Sequence, residues 1–218
     1  MGLALPIWNL MLDKLPRGDM LSFGHQDIRF TWKEVEGKAI VAYAIRNAGV
    51  FGGLTPNTQA LFSAFGWRTL AVDLFPGDAK ERKVDLNEPL PKDLIGRFDA
   101  VLDVGTGEHV FNIGQVFRNA LAALKVGGAV LHLHPLVMRN HGFWCTQPTA
   151  MLDFYKQNGC DVDVWVHDGF ESWEPATTLR TDEAKHKTYT VGFATKRRDV
   201  EFKWPVQTTY KGQTEYDR

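Results

Sequence analysis

The chain has 218 residues, 44% of them apolar and 23% charged, with a formal net charge of −1. That length supports one domain with a substantial core and is short for two. The near-neutral balance argues against a nucleic-acid-coating surface, which would carry a basic excess, and no apolar run approaches membrane-spanning length.

The first segment, "MGLALPIWNLMLDKLPRGDM", is apolar but lacks a basic leader and breaks early at Pro6 and Asp13. It predicts a short packing helix within residues 1–18 rather than a secretion signal. Gly2 lacks the Ser or Thr at position 6 that an acylation context requires. Cys145 and Cys160 fit no zinc or redox spacing and no disulfide framework. A cytoplasmic protein is expected.

"DMLSFG" predicts the first strand, ending at Gly24. Thr31 with Glu34 is a capping-box pattern followed by apolar positions at helical spacing, which predicts a helix stopping near Gly49. "TPNTQALFSAFG" predicts a second helix, with Thr55 as N-cap, Pro56 in the first turn and Gly66 at the stop. "RTLAVDLF" is the next strand, ending in Asp73, and "ERKVDLNEPLP" holds a short one closed by Asp85 and the prolines. "RFDAVLDVG" reads as a buried strand.

"NIGQVFRNALAALKVGG" carries an apolar stripe and predicts a helix capped by Gly127 and Gly128. "AVLHLHPL" is a strand, and "TAMLDFYKQNG" a helix ending at Asn158-Gly159. The runs "CDVDVWVHDGF" and "KTYTVGFATKR" have no helix between them and predict an antiparallel pair. The basic cluster Lys196 to Arg198 is expected to decorate a solvated edge. Residues 199–218 form a tail. Strands alternating with helices give an α/β class, a Rossmann-like three-layer sandwich around a mostly parallel seven-stranded sheet. A single domain, 1–218, holds all of it.

A cofactor loop in such a fold needs a glycine-bearing turn after the first strand and an acid at the end of the second. "DVGTG" at Asp103 fails as that turn, because the following strand ends in His134 and Pro135 with no acid. "SFGHQD", with Gly24, succeeds, because Asp73 then closes the second strand. The interval from Gly24 to Asp73 is about twice that of a minimal βαβ unit of roughly 30 residues, so residues 25–55 hold an inserted helix and loop.

This order resembles the S-adenosylmethionine-dependent methyltransferases with the Rossmann-like seven-stranded fold. The run "FDAVLDVGTGEHVFNIGQVFRNALAALKVGGAVLHLHP" carries the likeness, with "DLNEPLP" before it and "HGFWCTQPT" after it, over residues 68 to 160. The resemblance implies S-adenosylmethionine as cofactor and methyl transfer to a small-molecule or sugar-like acceptor. It implies cofactor contacts at Gly24, Asp73, Asp85, Leu86, Gly105, Thr106 and Glu108. The usual acid-x-Gly-x-Gly-x-Gly turn is reduced to one glycine, which motivates an alternative: a methyltransferase-like binding or assembly module that has lost its cofactor. A nicotinamide-dependent oxidoreductase is disfavoured, since "SFGHQDI" is a poor dinucleotide fingerprint.

Each candidate also has a structural reading. Asp73 suits a ribose diol but could cap the "FPGD" turn, and "DLN" could be a plain turn. His109 can titrate near neutrality and act as base, whereas Glu108 and His109 could instead pack the next helix. His132 and His134 share one strand face; with no carboxylate completing an obvious set, no metal is expected there. His141, in "RNHGFW", is a second candidate base, and Trp144 a candidate pocket wall.

Overall fold

The computed structural model describes residues 2–30, 58–77, 81–168, 172–175 and 188–210. Helix α1 (Leu5–Lys14) leads into β1 (Gly18–Phe23), followed by α2 (Thr58–Ala64), β2 (Trp67–Asp73), β3 (Arg82–Lys83) and β4 (Phe98–Val104). Then come α3 (Ile113–Ala123), β5 (Leu124–Val137), α4 (Pro148–Gln157), β6 (Cys160–Asp168), β7 (Ser172–Pro175) and β8 (Thr188–Lys196). The helix expected after Thr31, and the Thr55 cap, lie outside the described residues.

The strands form one sheet in the order β3-β2-β1-β4-β5-β8-β6-β7. Strands β1 to β5 pair in parallel, and β8 runs antiparallel to both β5 and β6. The seven expected strands and the final antiparallel pair are present, and β7 adds an eighth at the β6 edge.

Strand β4 reads "FDAVLDV" because it sits at the centre of the sheet, and only Asp99 among its residues is not fully buried. Residues one apart on a strand face opposite ways. Met20, Ala100 and Leu102 therefore join Ile7, Trp8, Leu61 and Phe62 of α1 and α2 in one core. Leu21, Phe23 and Val101 join Val116, Phe117, Met151 and Phe154 of α3 and α4 in the other. These two cores make the three layers.

Two expectations need correction. Helix α3 ends at Ala123, before the glycines, because the buried Leu124 already pairs with Phe98 across the sheet. Gly127 and Gly128 instead fall where the β4–β5 register shifts. Lys196 is buried rather than solvated, and its ammonium donates to the carbonyls of Leu121 and Leu124 at the end of α3. There it meets the negative end of the helix dipole.

The tail is also tied down. Asn158, just past α4, bonds both backbone groups of Lys203, Gln157 does the same for Val206, and Asp153 holds Thr208. No helix among the described residues is long and apolar enough to cross a membrane.

Candidate functional site

From β1 the chain builds the sheet outward to β2 and β3, then returns to build β4 and β5 on the other side. The carboxyl ends of β1 and β4 are therefore a topological switch point, where a crevice opens. A cavity of about 390 Å³ lies there. Gly24, Asp73, Asp85 and Leu86 line it from the β1, β2 and β3 ends, and Gly105, Thr106 and His109 line it from the β4 end.

Gly24 has φ +73° and donates its N–H to the carbonyl of Val72 at 2.8 Å. A β-carbon there would fall 2.5 Å from the Thr106 hydroxyl, which itself donates to the carbonyl of Phe23 at 2.7 Å. The first turn and the loop after β4 thus touch, and only glycine permits both the backbone and the contact.

The two acids cap local turns and also face the cavity. Asp73 faces the cavity and accepts the Phe75 N–H at 2.9 Å. Asp85 faces it too, while accepting from the backbone and side chain of Asn87 at 2.9 and 2.8 Å. Such turns fix a carboxylate without removing all its acceptor capacity. The sequence gives no local signal for two further elements here. His25 pairs with Glu81 at 2.8 Å across the mouth, and the buried Asn119 of α3 bonds Leu86, Glu88 and Leu90, holding the loop after β3.

Behind the cavity lies a carboxylate–histidine network. In the β4–β5 register Asp103 stands opposite His132. Asp103 Oδ2 accepts from His132 Nδ1 at 2.8 Å and His134 Nε2 at 2.7 Å, and Oδ1 accepts the Gly107 N–H at 2.9 Å. His132 Nε2 accepts from the Tyr155 hydroxyl at 2.6 Å, and His134 Nδ1 meets Thr146 Oγ1 at 3.0 Å. The expectation that no carboxylate accompanies these histidines is thereby corrected.

Asp103, His132 and His134 are fully buried. Burial pushes the Asp103 carboxyl up, but the two histidines outweigh it and hold it well below the usual carboxylate range. Burial lowers His132, whereas for His134 the attraction of Asp103 overcomes burial and raises it. Of the two, His134 is therefore the histidine whose charged form Asp103 favours, while His132, which accepts from Tyr155, donates its Nδ1–H to Asp103.

Glu108 does not line the cavity. It points inward, fully buried, and neither of its oxygens accepts a hydrogen bond from a described residue. Burial pushes its carboxyl up to about 7. His109 Nε2 lies 3.7 Å and His141 Nε2 3.5 Å from Glu108 Oε1. The segment carrying His141 reaches there because the N–H groups of Phe143 and Trp144 donate to the Glu108 carbonyl at 2.9 and 3.3 Å. Gly142 permits the approach, since a β-carbon would fall 2.8 Å from that carbonyl oxygen. Outside this loop, the exposed rings of Phe111, Phe143 and Trp144 cluster, with centroids 5.5 Å and 6.0 Å from Phe111.

No protein-family model matches the chain. No curated protein matches it in sequence. Among solved structures, phosphoethanolamine N-methyltransferase 2 of Haemonchus contortus, bound to phosphomonomethylethanolamine and S-adenosylhomocysteine, superimposes with a TM-score of 0.50 at 16% identity, over 88% of this chain and 53% of that one. The chain has the class I methyltransferase fold. Two further similar structures are the CMeT domain of the citrinin polyketide synthase (TM-score 0.49, 12% identity, 89% of this chain and 51% of that one) and a TehB-like S-adenosylmethionine-dependent methyltransferase from Corynebacterium glutamicum (TM-score 0.47, 16% identity, 86% and 85%). The chain spans about half the length of the polyketide synthase CMeT domain and of the H. contortus protein. In class I terms, the Asp103 network lies at the end of the fourth strand and the Glu108 loop just beyond it.

Proposed function

We propose that this chain is an S-adenosylmethionine-dependent methyltransferase acting on a small-molecule or sugar-like hydroxyl. The observation that carries the reading is the pair of fixed carboxylates, Asp73 and Asp85, on one cavity at the switch point of the sheet. The residues present fit the cofactor. The cavity is of ordinary ligand size, roughly 300–1,000 Å³, and Val72, Val84 and Leu86 give it an apolar wall.

Asp73 would accept the ribose hydroxyls, Asp85 and Leu86 would flank the base, and Gly24, Gly105 and Thr106 would border the amino-acid end. When bound, S-adenosylmethionine would supply an activated sulfonium methyl group for transfer to the acceptor oxygen. The chain's own part is positioning, worth much of the barrier in such displacements, and handling the acceptor's proton. His109 stands at the β4 side of the cavity and is the imidazole placed to accept it. The exposed Phe111, Phe143 and Trp144 rings offer apolar faces against which a sugar-like acceptor can lie.

A second reading, a binding module without catalysis, draws on one observation. The Thr106 hydroxyl and the buried Gln26 amide both bond the Phe23 carbonyl, so side chains fill the first turn. Calorimetric titration with S-adenosylhomocysteine decides between them. Measurable binding that Asp73→Ala weakens at least tenfold supports the enzyme; no heat and no thermal shift at millimolar ligand would sink it.

A further inference from the structure

Two clusters of histidine and carboxylate stand back to back beside the cavity, and they differ in kind. In the first, Asp103 approaches His132 and His134 at 2.8 and 2.7 Å, and every nitrogen has a hydrogen-bond partner. Those are hydrogen-bond lengths, and the set is complete without an ion.

The second cluster is Glu108, His109 and His141, whose ligating atoms all lie within 4.8 Å of one another. Here the spacing is too wide for hydrogen bonds, at 3.5 and 3.7 Å from Glu108 Oε1 to the two Nε2 atoms. It matches the edge of a tetrahedron about an ion with arms of about 2.1 Å, which is about 3.4 Å.

A buried carboxylate normally accepts several hydrogen bonds, and leaving it bare is costly. Glu108 accepts none from a described residue, and both its oxygens are sealed from solvent. Yet its backbone is built to hold it there. Its carbonyl takes two N–H groups from the segment after Gly142, and that clamp brings His141 alongside. The His109 and His141 rings are tilted by 57° at 5.1 Å rather than stacked, and both Nε2 atoms lie within 3.7 Å of the carboxylate.

We propose that Glu108, His109 and His141 bind a divalent transition-metal ion of the zinc type, leaving a coordination position beside the cavity for an acceptor oxygen. Two imidazoles and one carboxylate are a donor set suited to such an ion, and three protein ligands leave a fourth place open. The cation supplies a partner to a buried carboxylate that accepts no hydrogen bond from a described residue. His109 joins the two sites, since it also lines the cavity.

The role at the acceptor rests on the methyltransferase reading and deepens it. The acceptor hydroxyl, bound to the ion, loses its proton to solvent, its oxygen forms the new bond to the methyl carbon, and the carbon–sulfur pair stays with sulfur. His109 then acts as ligand, and the ion lowers the hydroxyl's pKa in place of a free base.

The test uses the full chain, stripped with chelator and dialysed against zinc chloride alone. One zinc per chain is expected, with at least a tenfold loss of affinity in Glu108→Gln, His109→Asn and His141→Asn. His25→Gln and Cys145→Ser control for other surface ligands and should bind as the parent does. Glu108→Gln keeps the side chain's shape while removing a buried carboxyl with no hydrogen-bond partner among the described residues, and should fold at least as stably; the exposed His109→Asn is a second variant that keeps the fold.

Zinc binding that survives in all three variants, is absent from the parent, or is lost only in Cys145→Ser would overturn the proposal. S-adenosylhomocysteine titrations on the same samples separate the two readings. Glu108→Gln should keep cofactor affinity within about twofold, so a protein that binds the nucleoside but no zinc defeats the metal site alone. One that binds zinc but no nucleoside defeats the methyltransferase reading alone.

Discussion

Asp103→Asn is expected to cost this protein a large part of its stability. The carboxylate is fully buried and accepts three hydrogen bonds, two from histidines and one from the Gly107 N–H. The amide keeps the shape and one acceptor oxygen, but it turns an NH₂ toward donors and removes the counter-charge of His134. Removing one partner of a buried pair costs about 3–5 kcal/mol, against a total of about 5–15 kcal/mol for a typical domain.

The pH dependence carries a signature. The folded pKa of Asp103 is depressed, so its contribution is present above the unfolded value of about 3.9 and fades as pH falls through the lower folded value. The folded pKa of His134 is raised, so its contribution is full below the unfolded value of about 6.5 and fades as pH rises through the higher folded value. Urea unfolding of the parent and the variant should therefore differ most between about pH 5 and 6.5, and less on either side. A difference below about 1 kcal/mol in that window, or one that is flat with pH, would refute the ion-pair assignment and leave only a neutral hydrogen-bond network.

Three smaller outcomes follow from the same geometry. Asn119→Ala strips the support of Leu86, Glu88 and Leu90; it should cost about 2–3 kcal/mol in urea unfolding and also weaken S-adenosylhomocysteine binding, because the base-side loop loosens. Gly24→Ala forces a β-carbon into a left-handed backbone and against Thr106. A loss of about 1–3 kcal/mol and of cofactor affinity is expected, and unchanged calorimetry would contradict the contact. Lys196→Met removes the cation on the α3 carbonyls and its pairing with the exposed Asp199, and a fall of about 1–2 kcal/mol should appear in denaturant titration.

Local pattern alone predicted most of the sheet. The apolar runs at "FDAVLDV" and "AVLHLHP", the punctuation by Gly66, Asn158 and Gly159, and the helix-free final pair each obey short-range rules, and the longer strands fall near their expected places, β7 being the addition. Chain order also placed Asp73 and Gly24 on one crevice, because strand ends in a parallel sheet converge at the switch point.

What the sequence could not supply is whatever depends on register and on loops folding back. Asp103 is far in the chain from His132 and His134 and meets them only through the β4–β5 pairing, so the buried network was invisible to spacing. Leu124 ended α3 early for the same reason, since a strand partner outcompeted a glycine cap. Glu108 and His109 sit together in "GEH", but His141 joins them only because Gly142 lets two backbone N–H groups close on the Glu108 carbonyl. Periodicity fixes which face of an element is apolar; which polar groups meet behind that face is decided by long-range packing, where a buried charge must find its partner.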